Sequence, residues 1–310
     1  MSGSIRVFAP ATVANVASAF DVLGFAIDGP GDEVVLSKNS LNNLVISEIV
    51  GDGGKLTRNP DENTSTVAIK SYLSKIGSNQ GFDLVLTKKM PLGSGLGSSS
   101  ASAVAGVFAA NELMGCPLKK EDLLPFAMEG ERVACGTAHA DNVGPALLGG
   151  FVLVSSYNPL QVRNVKFPAD LTAVVVHPHI EIRTQDSRAV LPHKITLSEA
   201  SSQWGRIAGL IAGLGQADNE LISNGLIDEI IERHRSTLIP GFYPVKESAL
   251  KNGALGCSIS GSGPSVFALV SSLADANQIA RAMQESFTKV GLGSDLFISK
   301  INQKGACVLN

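Results

Sequence analysis

A glycine- and serine-rich segment at residues 91–101 carries the clearest chemical signal in the sequence. It reads Pro-Leu-Gly-Ser-Gly-Leu-Gly-Ser-Ser-Ser-Ala, follows a strand-like run and precedes small residues that favour a helix. Its alternate glycines remove the Cβ atoms that would keep the backbone from closing around an anion. The serines suit a helix N-terminus, where unpaired N–H groups and the helix dipole favour phosphate. We therefore predict a phosphate-binding loop, with a flexible loop before a packed helix as the alternative.

The loop differs from two common nucleotide-binding motifs. A Walker A loop needs a lysine directly after its last glycine, and Ser98 occupies that position. The dinucleotide-binding fingerprint needs a glycine at the same position, and a helix still runs where its acidic residue would follow. The segment is thus predicted to be a different nucleotide loop, with serine hydroxyls where Walker A has its lysine.

Two other segments combine small residues with isolated polar ones. Asn15 and Asp21 lie in the alanine-rich segment 9–24, where they could bind a ligand or could simply cap or turn the chain. The segment 256–265 lies between two strand-like runs and contains more glycine and serine than a hairpin turn needs. We interpret it as a second approach of backbone to phosphate or substrate, with a plain hairpin turn as the alternative.

A further polar segment follows a predicted helix. Glu131 lies near the end of that helix, and His139, Asp141 and Asn142 follow in a glycine-containing turn. Mg²⁺ prefers one or two carboxylates together with phosphate oxygens and water, which suits a single glutamate beside a phosphate loop. This segment could therefore hold a metal and a polar substrate. The alternative is a solvated helix face followed by a polar turn.

Charge and composition exclude several classes of function. The chain of 310 residues has a formal net charge of −3 at pH 7, with its lysines and arginines spread along it. This charge gives no electrostatic footprint for nucleic acid or an anionic membrane. The longest apolar runs, 103–110 and 146–154, are far shorter than the roughly 20 residues of a membrane helix. Residues 7–19 mimic a signal peptide, but polar residues and a proline interrupt them, so we predict a cytoplasmic protein.

The cysteines and the single tryptophan are expected inside the fold. The four cysteines show no Cys-x-x-Cys pairing, so neither a zinc site nor a disulfide framework is indicated, and we expect free, buried thiols in a reducing cytosol. Trp204 shares helical spacing with Ile207 and Ile211, which predicts packing in the core. The cysteines are Cys116, Cys135, Cys257 and Cys307.

Predicted strands and helices must position these residues, and the order in which they follow one another changes near the middle of the chain. The first half mixes short strands with helices that start near residues 63, 98 and 121, and residues 136–144 are predicted to form a turn. The second half reads strand, helices, hairpin, helix and strand, which is the order of a split β-α-β sandwich. We predict an α+β fold with two domains, residues 1–165 and 166–310.

With these segments in this order, the chain resembles the GHMP kinases, small-molecule kinases named for galactose, homoserine, mevalonate and phosphomevalonate. The resemblance covers nearly the whole chain and rests on the N-terminal motif, the Pro-x-x-x-Gly-Leu-Gly-Ser-Ser loop and the later Gly-x-x-x-Ser-Gly-x-Gly-Pro turn. It implies an N-terminal ribosomal-protein-S5-like α/β domain and a C-terminal ferredoxin-like split β-α-β domain. It also implies ATP and Mg²⁺ as cofactors and a homodimer. Within the family the chain most resembles members that phosphorylate L-homoserine.

The resemblance implies a role for each site residue. The loop would wrap the triphosphate, Asn63 would lie near the adenine, and Glu131 would hold Mg²⁺ together with a hydroxyl from either Ser98 or Ser99. A zwitterionic substrate needs a carboxylate near its ammonium, for which Asp21 serves, and it needs arginines for its own carboxylate, which the fork of Arg188 or Arg235 fits. The implied nucleotide-binding residues are Pro91, Leu92, Gly93, Ser94, Gly95, Leu96, Gly97, Ser98, Ser99, Ser100, Ala101 and Asn63. The implied substrate-binding residues are Asn15, Asp21, His139, Asn142, Thr184, Arg188, Arg235 and Gly261, of which Asn15, Asn142 and Arg188 are also catalytic candidates.

The sequence departs from other branches of the family at the position of the general base. Mevalonate- and galactose-type members are associated with an aspartate where this chain has Asn142 and with a basic residue in the N-terminal motif, which has none here. Asparagine cannot accept a proton at neutral pH. Phosphoryl transfer depends mainly on positioning and charge neutralisation, so we expect catalysis without a strong protein base. Asp141 is the alternative base.

Two other functions fit the same motifs. The first is a kinase of the same fold for another small alcohol, such as mevalonate or a sugar. An uncharged sugar would leave Arg188 and Arg235 unpaired, which argues against it. The second is a catalytically silent relative that binds nucleotide and metabolite as a sensor. Such a protein would be expected to have lost the loop or Glu131, and both are present.

Overall fold

The computed structural model describes residues 3–137 and 139–309. These residues form one mixed sheet and one antiparallel sheet, with helices packed on both. The strands are β1 (Ser4–Val16), β2 (Ala19–Asn39), β3 (Leu44–Val50), β4 (Gly81–Thr87), β5 (Phe151–Tyr157), β6 (Leu160–Val165), β7 (Thr172–Pro178), β8 (Gly256–Ile259), β9 (Val266–Val270), β10 (Ser294–Lys300) and β11 (Cys307–Leu309). The helices are α1 (Thr64–Ile76), α2 (Ser98–Leu113), α3 (Leu124–Cys135), α4 (Ala140–Leu148), α5 (Thr184–Ala189), α6 (Leu197–Gln216), α7 (Asn219–Gly225), α8 (Glu232–Arg235), α9 (Phe242–Lys251) and α10 (Leu273–Lys289), with short 3₁₀ turns at Lys120–Leu123 and Ser236–Leu238.

The first sheet is built around the long antiparallel hairpin of β1 and β2. Its strand order is β11-β1-β2-β4-β3, and β5 pairs with both β2 and β6. β3 and β4 are parallel, as a crossover through helix α1 requires, and the other pairs are antiparallel. The alanine-rich segment 9–24 forms the end of the hairpin, so its small side chains are buried strand residues. The last strand, β11, returns to this sheet beside β1.

The second sheet has the strand order β10-β7-β9-β8, and all of its neighbours are antiparallel. In chain order these strands are the fourth, first, third and second of the C-terminal half, which is the predicted split β-α-β arrangement. The predicted hairpin is the β8–β9 pair, joined by the glycine turn. The boundary near residue 165 lies between β6 and β7 and stays a prediction.

Helix α2 carries the phosphate loop into the core. It packs against α1, α3, α4, β1 and β2, and it is buried on nearly all sides because its residues are mostly alanine, serine and valine. A helix without an exposed face cannot tilt freely, so its N-terminus is fixed in the fold. Helix α1 begins at the predicted cap, where Asn63 Oδ1 accepts a hydrogen bond from Ser65 N (3.1 Å), and ends at Gly77.

Several expectations about local structure were wrong. The predicted turn 136–144 becomes helix α4 from Ala140 onward, and Ala138 lies outside the described residues. Strands β5, β6 and β11 were not predicted. Trp204 is 60% exposed, because α6 packs through Ala200, Gln203, Leu210 and Leu214 rather than through the tryptophan face.

The cysteines are free where the structure describes them, but they are not uniformly buried. Cys257 is buried in the second sheet, Cys307 is half-buried and Cys116 is exposed, so the expected burial is wrong for Cys116. Cys116 lies in the turn after α2 with a φ of 56°, which carries it out of the core. The side chain of Cys135 lies outside the described residues. In the described part of the chain, no helix has the length and apolar character to span a membrane.

Candidate active site

A cavity of about 270 Å³ between the two sheets brings the predicted site residues together. Of the predicted residues outside the loop, those that line it are Asn15, Asp21, Asn63, Glu131, His139, Asn142, Thr184, Arg188, Arg235 and Gly261. Within the loop, Leu92, Gly93, Ser94, Gly95, Gly97, Ser98 and Ser99 line it. Four loop residues do not, namely Pro91, Leu96, Ser100 and Ala101. Residues far apart in sequence thus share one ligand-sized space.

The phosphate loop needs glycine at alternate positions for steric reasons. Gly95 has a φ of +76° and Gly97 a φ of +68°, both in the left-handed region. A Cβ on Gly95 would lie 2.3 Å from the carbonyl oxygen of Ser260, and one on Gly97 would lie 2.1 Å from Thr12 Oγ1. Ser260 Oγ also donates to the carbonyl of Gly95 (2.7 Å). The predicted glycine turn at residues 256–265 therefore contacts the loop directly and restricts its backbone.

The three serines at the start of α2 have different partners. Ser98 Oγ donates to Asp32 Oδ2 (3.1 Å), and Ser100 Oγ donates to Glu131 Oε2 (2.8 Å). Ser99 lines the cavity, and its hydroxyl has no hydrogen-bond partner among the described residues. Glu131 is 5% exposed and also lines the cavity. A carboxylate and a hydroxyl beside a phosphate loop form a donor set that fits Mg²⁺ carried in with phosphate oxygens.

A buried ion pair lies behind the loop. Lys88 Nζ is paired with Asp32 Oδ2, and it also donates to the carbonyl of Ser98 (2.9 Å) and to Ser102 Oγ (2.7 Å). Asp32 Oδ1 accepts from the backbone N–H of Lys89 (3.0 Å). These contacts satisfy both charges, as burial requires, and they tie the first turn of α2 to strand β2 and to the residues that directly follow β4.

Asn15 and Asp21 are held at the end of the β1–β2 hairpin. Both have left-handed backbone conformations, with φ of 55° and 58°. Asn15 Oδ1 accepts from the N–H of Asp21 (2.8 Å), and its Nδ2 donates to the carbonyl of Gly261 (2.9 Å). Both ends of the Asn15 amide are thus used by the backbone. The contacts hold Asp21 in place and join the hairpin to the glycine turn.

Asp21 is already paired in the structure. Arg188 Nη2 donates to Asp21 Oδ1 (2.9 Å) and Arg188 Nη1 to Asp21 Oδ2 (3.3 Å). His139 Nδ1 lies 3.7 Å from Asp21 Oδ1. Burial lowers the pKa of His139 below its usual value, so the ring is neutral at pH 7. Asp21 and Arg188 therefore form a fork-to-fork pair at the wall of the cavity.

Arg235 is the cation of the site that lacks an acidic partner. Its side chain is almost completely buried, and the residue is 2% exposed. Arg235 Nη1 donates to the carbonyl of Gly261 (2.7 Å) and Nε to that of Ser187 (3.3 Å). Among the described residues no carboxylate lies within ion-pair distance of it. Burial, followed by the nearby charge of Arg188, lowers the pKa of Arg235 to about 10.

Asp141 and Asn142 lie in the first turn of helix α4 and line the cavity. Thr12 Oγ1 donates to Asn142 Oδ1 (2.7 Å), which leaves the Asn142 amide nitrogen for a ligand. Asp141 is 2% exposed, lines the cavity, and its Oδ1 has no hydrogen-bond partner among the described residues. Burial, followed by the charge of Asp21, raises the pKa of Asp141 to about 7. A buried carboxyl without a hydrogen-bond partner is stabilised when it binds a cation or a proton, so Asp141 is a candidate ligand-binding group.

Comparisons with known proteins agree with this geometry. Residues 63–150 match the family described as GHMP kinases N terminal domain, and residues 207–289 match the one described as GHMP kinases C terminal. A homoserine kinase from Chlorobium phaeobacteroides (strain BS1) is 51% identical over 314 residues, covering 97% of this chain and 98% of that protein. The chain belongs to the homoserine kinases of the GHMP kinase family.

Two further relatives support this membership. The crystal structure of homoserine kinase from Cytophaga hutchinsonii superimposes with a TM-score of 0.98 at 55% identity, covering 100% of this chain and 98% of that one. A homoserine kinase from Xanthomonas campestris pv. campestris (strain B100) is 39% identical over 304 residues, covering 98% of this chain and 94% of that protein. The predicted two-domain GHMP kinase fold and the predicted enzyme class are confirmed. Membership of a kinase family implies the use of ATP.

Sequence reasoning about this GHMP kinase missed Lys88, which lines the cavity, and Asp32 and Tyr157, which contact residues of its lining. Asp141 was considered as part of the polar segment that could hold a metal or a substrate and as the alternative base, whereas Lys88 and Asp32 were not considered. Tyr157 was also missed, although its hydroxyl donates to the carbonyl of Asp21 (3.2 Å) and accepts from Ala140 N (3.2 Å). Lys88 lies three positions before the loop and Asp141 is flanked by predicted residues, so both had a positional signal. Tyr157 lies on an unpredicted strand and had none.

Proposed function

We propose that this kinase transfers the γ-phosphoryl group of ATP to the side-chain hydroxyl of L-homoserine, giving O-phospho-L-homoserine for threonine biosynthesis. The observation that carries the proposal is Arg235, a buried guanidinium in the cavity of the phosphate loop that has no carboxylate partner among the described residues. A buried unpaired cation is costly and is explained by an anionic ligand group. Because the reaction consumes ATP, we place the enzyme in the cytoplasm.

The cavity supports recognition of a small zwitterion. We assign the substrate carboxylate to Arg235, whose planar fork matches its geometry, and to Nε of Arg188, which is buried and has no hydrogen-bond partner among the described residues. We assign the substrate ammonium to Asp141, because Asp21 is already bonded twice to Arg188 whereas Asp141 Oδ1 has no hydrogen-bond partner in the described part of the chain. The Asn142 amide nitrogen then serves the reacting hydroxyl. His139, Thr184 and Gly261 complete the wall of this pocket.

The loop and α3 support binding of the nucleotide with a metal. The loop backbone and the first N–H groups of α2 bind the phosphates, and Asn63 fixes the segment that leads to α1. We propose that Glu131 and Ser99 hold Mg²⁺, since the Ser98 hydroxyl is engaged with Asp32. When bound, the metal neutralises the phosphate charge that develops during transfer.

Phosphoryl transfer requires the protein to position the reacting groups and does not require a strong acid or base. The homoserine oxygen forms the new P–O bond while the bond between the β–γ bridging oxygen and the γ-phosphorus breaks. Asn142 donates and cannot take the hydroxyl proton, which we assign to phosphate or water. In the bound complex, contact with the substrate ammonium keeps Asp141 ionised and occupied, so it is not assigned as the base.

The raised pKa of Asp141 predicts a pH dependence for substrate capture. Below about pH 7 the carboxyl is protonated in the free enzyme and cannot pair with the substrate ammonium. We expect kcat/KM for homoserine to fall about tenfold per pH unit below that pKa. The measurement is a pH profile of kcat/KM in wild type and in Asp141→Asn.

Asp141→Asn should abolish this acidic limb, weaken homoserine binding and leave kcat within about tenfold of wild type. A limb that persists in the variant would assign the titration to another group. A loss of several orders of magnitude in kcat, with the fold intact by circular dichroism, would instead make Asp141 the general base.

The substrate assignment is tested by a coupled ADP-release assay with Mg-ATP. The acceptors compared are L-homoserine, threonine, serine, mevalonate and galactose. We expect robust turnover of homoserine and little of mevalonate or galactose, which cannot satisfy both the arginines and Asp141. Turnover of mevalonate or galactose without homoserine would favour another small-alcohol kinase. Binding of ATP and homoserine without ADP release would favour a metabolite sensor.

We also propose a homodimer that forms through the exposed face of α6. Leu197 (76% exposed) and Trp204 (60% exposed) lie two helical turns apart on this face. A methyl group placed on Gly205 or Gly209 would contact nothing within 4 Å, so another helix could approach closely there. An exposed apolar face of this kind is typical of a protein interface.

The dimer is tested by substitution of its central side chain. Trp204→Lys is expected to convert a dimer to a monomer in sedimentation velocity, because a buried interface cannot accommodate two unpaired ammonium groups. The control is Leu41→Lys, since Leu41 is 68% exposed in the turn between β2 and β3. A wild-type monomer, or a dimer that survives Trp204→Lys, would contradict this interface.

A further inference from the structure

The two arginines of the cavity share one aromatic ring. Cζ of Arg188 lies 5.6 Å and Cζ of Arg235 lies 5.0 Å from the ring centroid of Phe20. Phe20 does not line the cavity, whereas its neighbour Asp21 and both arginines do. We propose that Phe20 is a positioning residue that holds both guanidinium groups toward the substrate carboxylate through cation–π contacts. This assignment rests on the proposed homoserine kinase activity.

Repulsion between the two arginines destabilises the site, and an aromatic ring beside them can offset it. Two guanidinium groups brought to one wall repel each other, and only Arg188 has a carboxylate partner among the described residues. A second carboxylate beside Arg235 would remove the repulsion, but it would also occupy the N–H groups that must bind the substrate. The negative face of a ring attracts a cation without accepting its strong hydrogen bonds. Phe20 thus stabilises Arg235 while leaving it open to a carboxylate.

The backbone around Phe20 is fixed well enough for this role. Asn15, Ala17 and Asp21 all adopt left-handed conformations, which non-glycine residues keep only where surrounding contacts hold them. Asn15 Oδ1 binds the N–H of Asp21, and Tyr157 binds its carbonyl. The hairpin end therefore places the ring of Phe20 and the carboxylate of Asp21 from adjacent positions. One carboxylate pairs with Arg188, and one ring serves both arginines.

Ordinary apolar packing by Phe20 is the competing explanation. Packing depends on the size of the side chain, whereas a cation–π contact depends on the electron density of the ring. Stepwise fluorination withdraws that density while it changes the volume little. The experiment therefore replaces Phe20 by genetic encoding with 4-fluoro-, 3,5-difluoro- and 3,4,5-trifluorophenylalanine. The probes are L-homoserine, titrated calorimetrically in the presence of a non-hydrolysable ATP analogue, and the analogue alone.

We expect the Kd for homoserine to rise with each fluorine and to reach about tenfold for the trifluoro ring, with the Kd of the ATP analogue unchanged. The matched control is the same series at Phe25, which is buried against Phe151 and Phe267 and has no cation over its ring in the described structure. That series should leave the Kd for homoserine unchanged.

Natural substitutions give a second readout. Phe20→Tyr keeps the ring and should stay within about threefold of wild type in the Kd for homoserine, whereas Phe20→Leu should lose about 10- to 30-fold. A flat fluorine series, or equal losses for the Tyr and Leu variants, in a wild-type enzyme that phosphorylates homoserine would overturn the role of Phe20 alone. A wild-type protein that neither binds nor phosphorylates homoserine would overturn the proposed function and this assignment with it.

Discussion

Arg235→Ala is expected to raise the KM for homoserine by about 10²–10³-fold and to leave the KM for ATP nearly unchanged. The residue is 2% exposed, so its desolvation is already complete before the substrate arrives. Loss of one partner of a buried, hydrogen-bonded charge pair costs about 2–5 kcal/mol, which corresponds to this change in affinity. Steady-state kinetics with each substrate varied in turn measures the effect.

Two further variants make this result interpretable. Arg183→Ala removes an exposed arginine that pairs with Asp186 near the same pocket, and it should change neither KM. Arg235→Met keeps an apolar stem and removes a buried charge that has no carboxylate partner within the described structure, so the Tm of the ligand-free protein should not fall. Equal increases in both KM values for Arg235→Ala would move that arginine from the substrate carboxylate to the phosphate site.

The phosphate loop was predictable because its requirement is local. Gly95 and Gly97 adopt left-handed conformations where a Cβ would collide with Ser260 and Thr12, and alternate glycines report such a backbone in any context. Helix α1 was predictable for the same reason, since the Asn63 cap and the terminal Gly77 act within one turn. The split β-α-β order also followed from local patterns, because strand and helix periods differ.

Properties that arise between distant segments could not be predicted. The sequence contains Arg188 and Arg235 but does not reveal that Asp21 pairs with only one of them. Nor does it distinguish the serines, since Ser98 is bound by Asp32, 66 positions away. Trp204 shows the same limit for packing, because helical spacing identifies a face but not whether that face is covered.

The family resemblance predicted some of these long-range properties and did not predict others. It implied which residues share the cavity, and all of them line it except the loop residues Pro91, Leu96, Ser100 and Ala101. It did not indicate that both ends of the Asn15 amide bind the backbone, or that one oxygen of Asp141 has no hydrogen-bond partner among the residues that the structure describes. Both facts depend on side-chain orientation, which the three-dimensional packing decides. They shift the ammonium contact from Asp21 to Asp141 in our proposal.

Glu131→Gln is expected to lower kcat by about 10²–10³-fold and to raise the Mg²⁺ concentration needed for half-maximal activity by about 100-fold. The amide keeps the shape of the side chain and can still accept the hydrogen bond of Ser100, so the loss is one of charge. A preorganised charge at a phosphoryl-transfer site contributes on this scale, and even an outer contact to a metal contributes 10–100-fold in affinity. Mn²⁺ titration of the ADP complex by electron paramagnetic resonance tests the metal site without turnover.

The serines separate metal binding from support of the helix. Ser99→Ala should weaken Mn²⁺ binding about tenfold with little change in Tm, because its hydroxyl has no partner within the described structure. Ser98→Ala should change Mn²⁺ affinity less and lower the Tm, because it breaks the contact with the buried carboxylate of Asp32. The control Glu129→Gln alters an exposed ion pair with Arg132 on the same helix and should affect neither. The reverse order of the two serine effects would place the metal on Ser98, and an unchanged Mn²⁺ affinity in Glu131→Gln would remove the metal from α3 altogether.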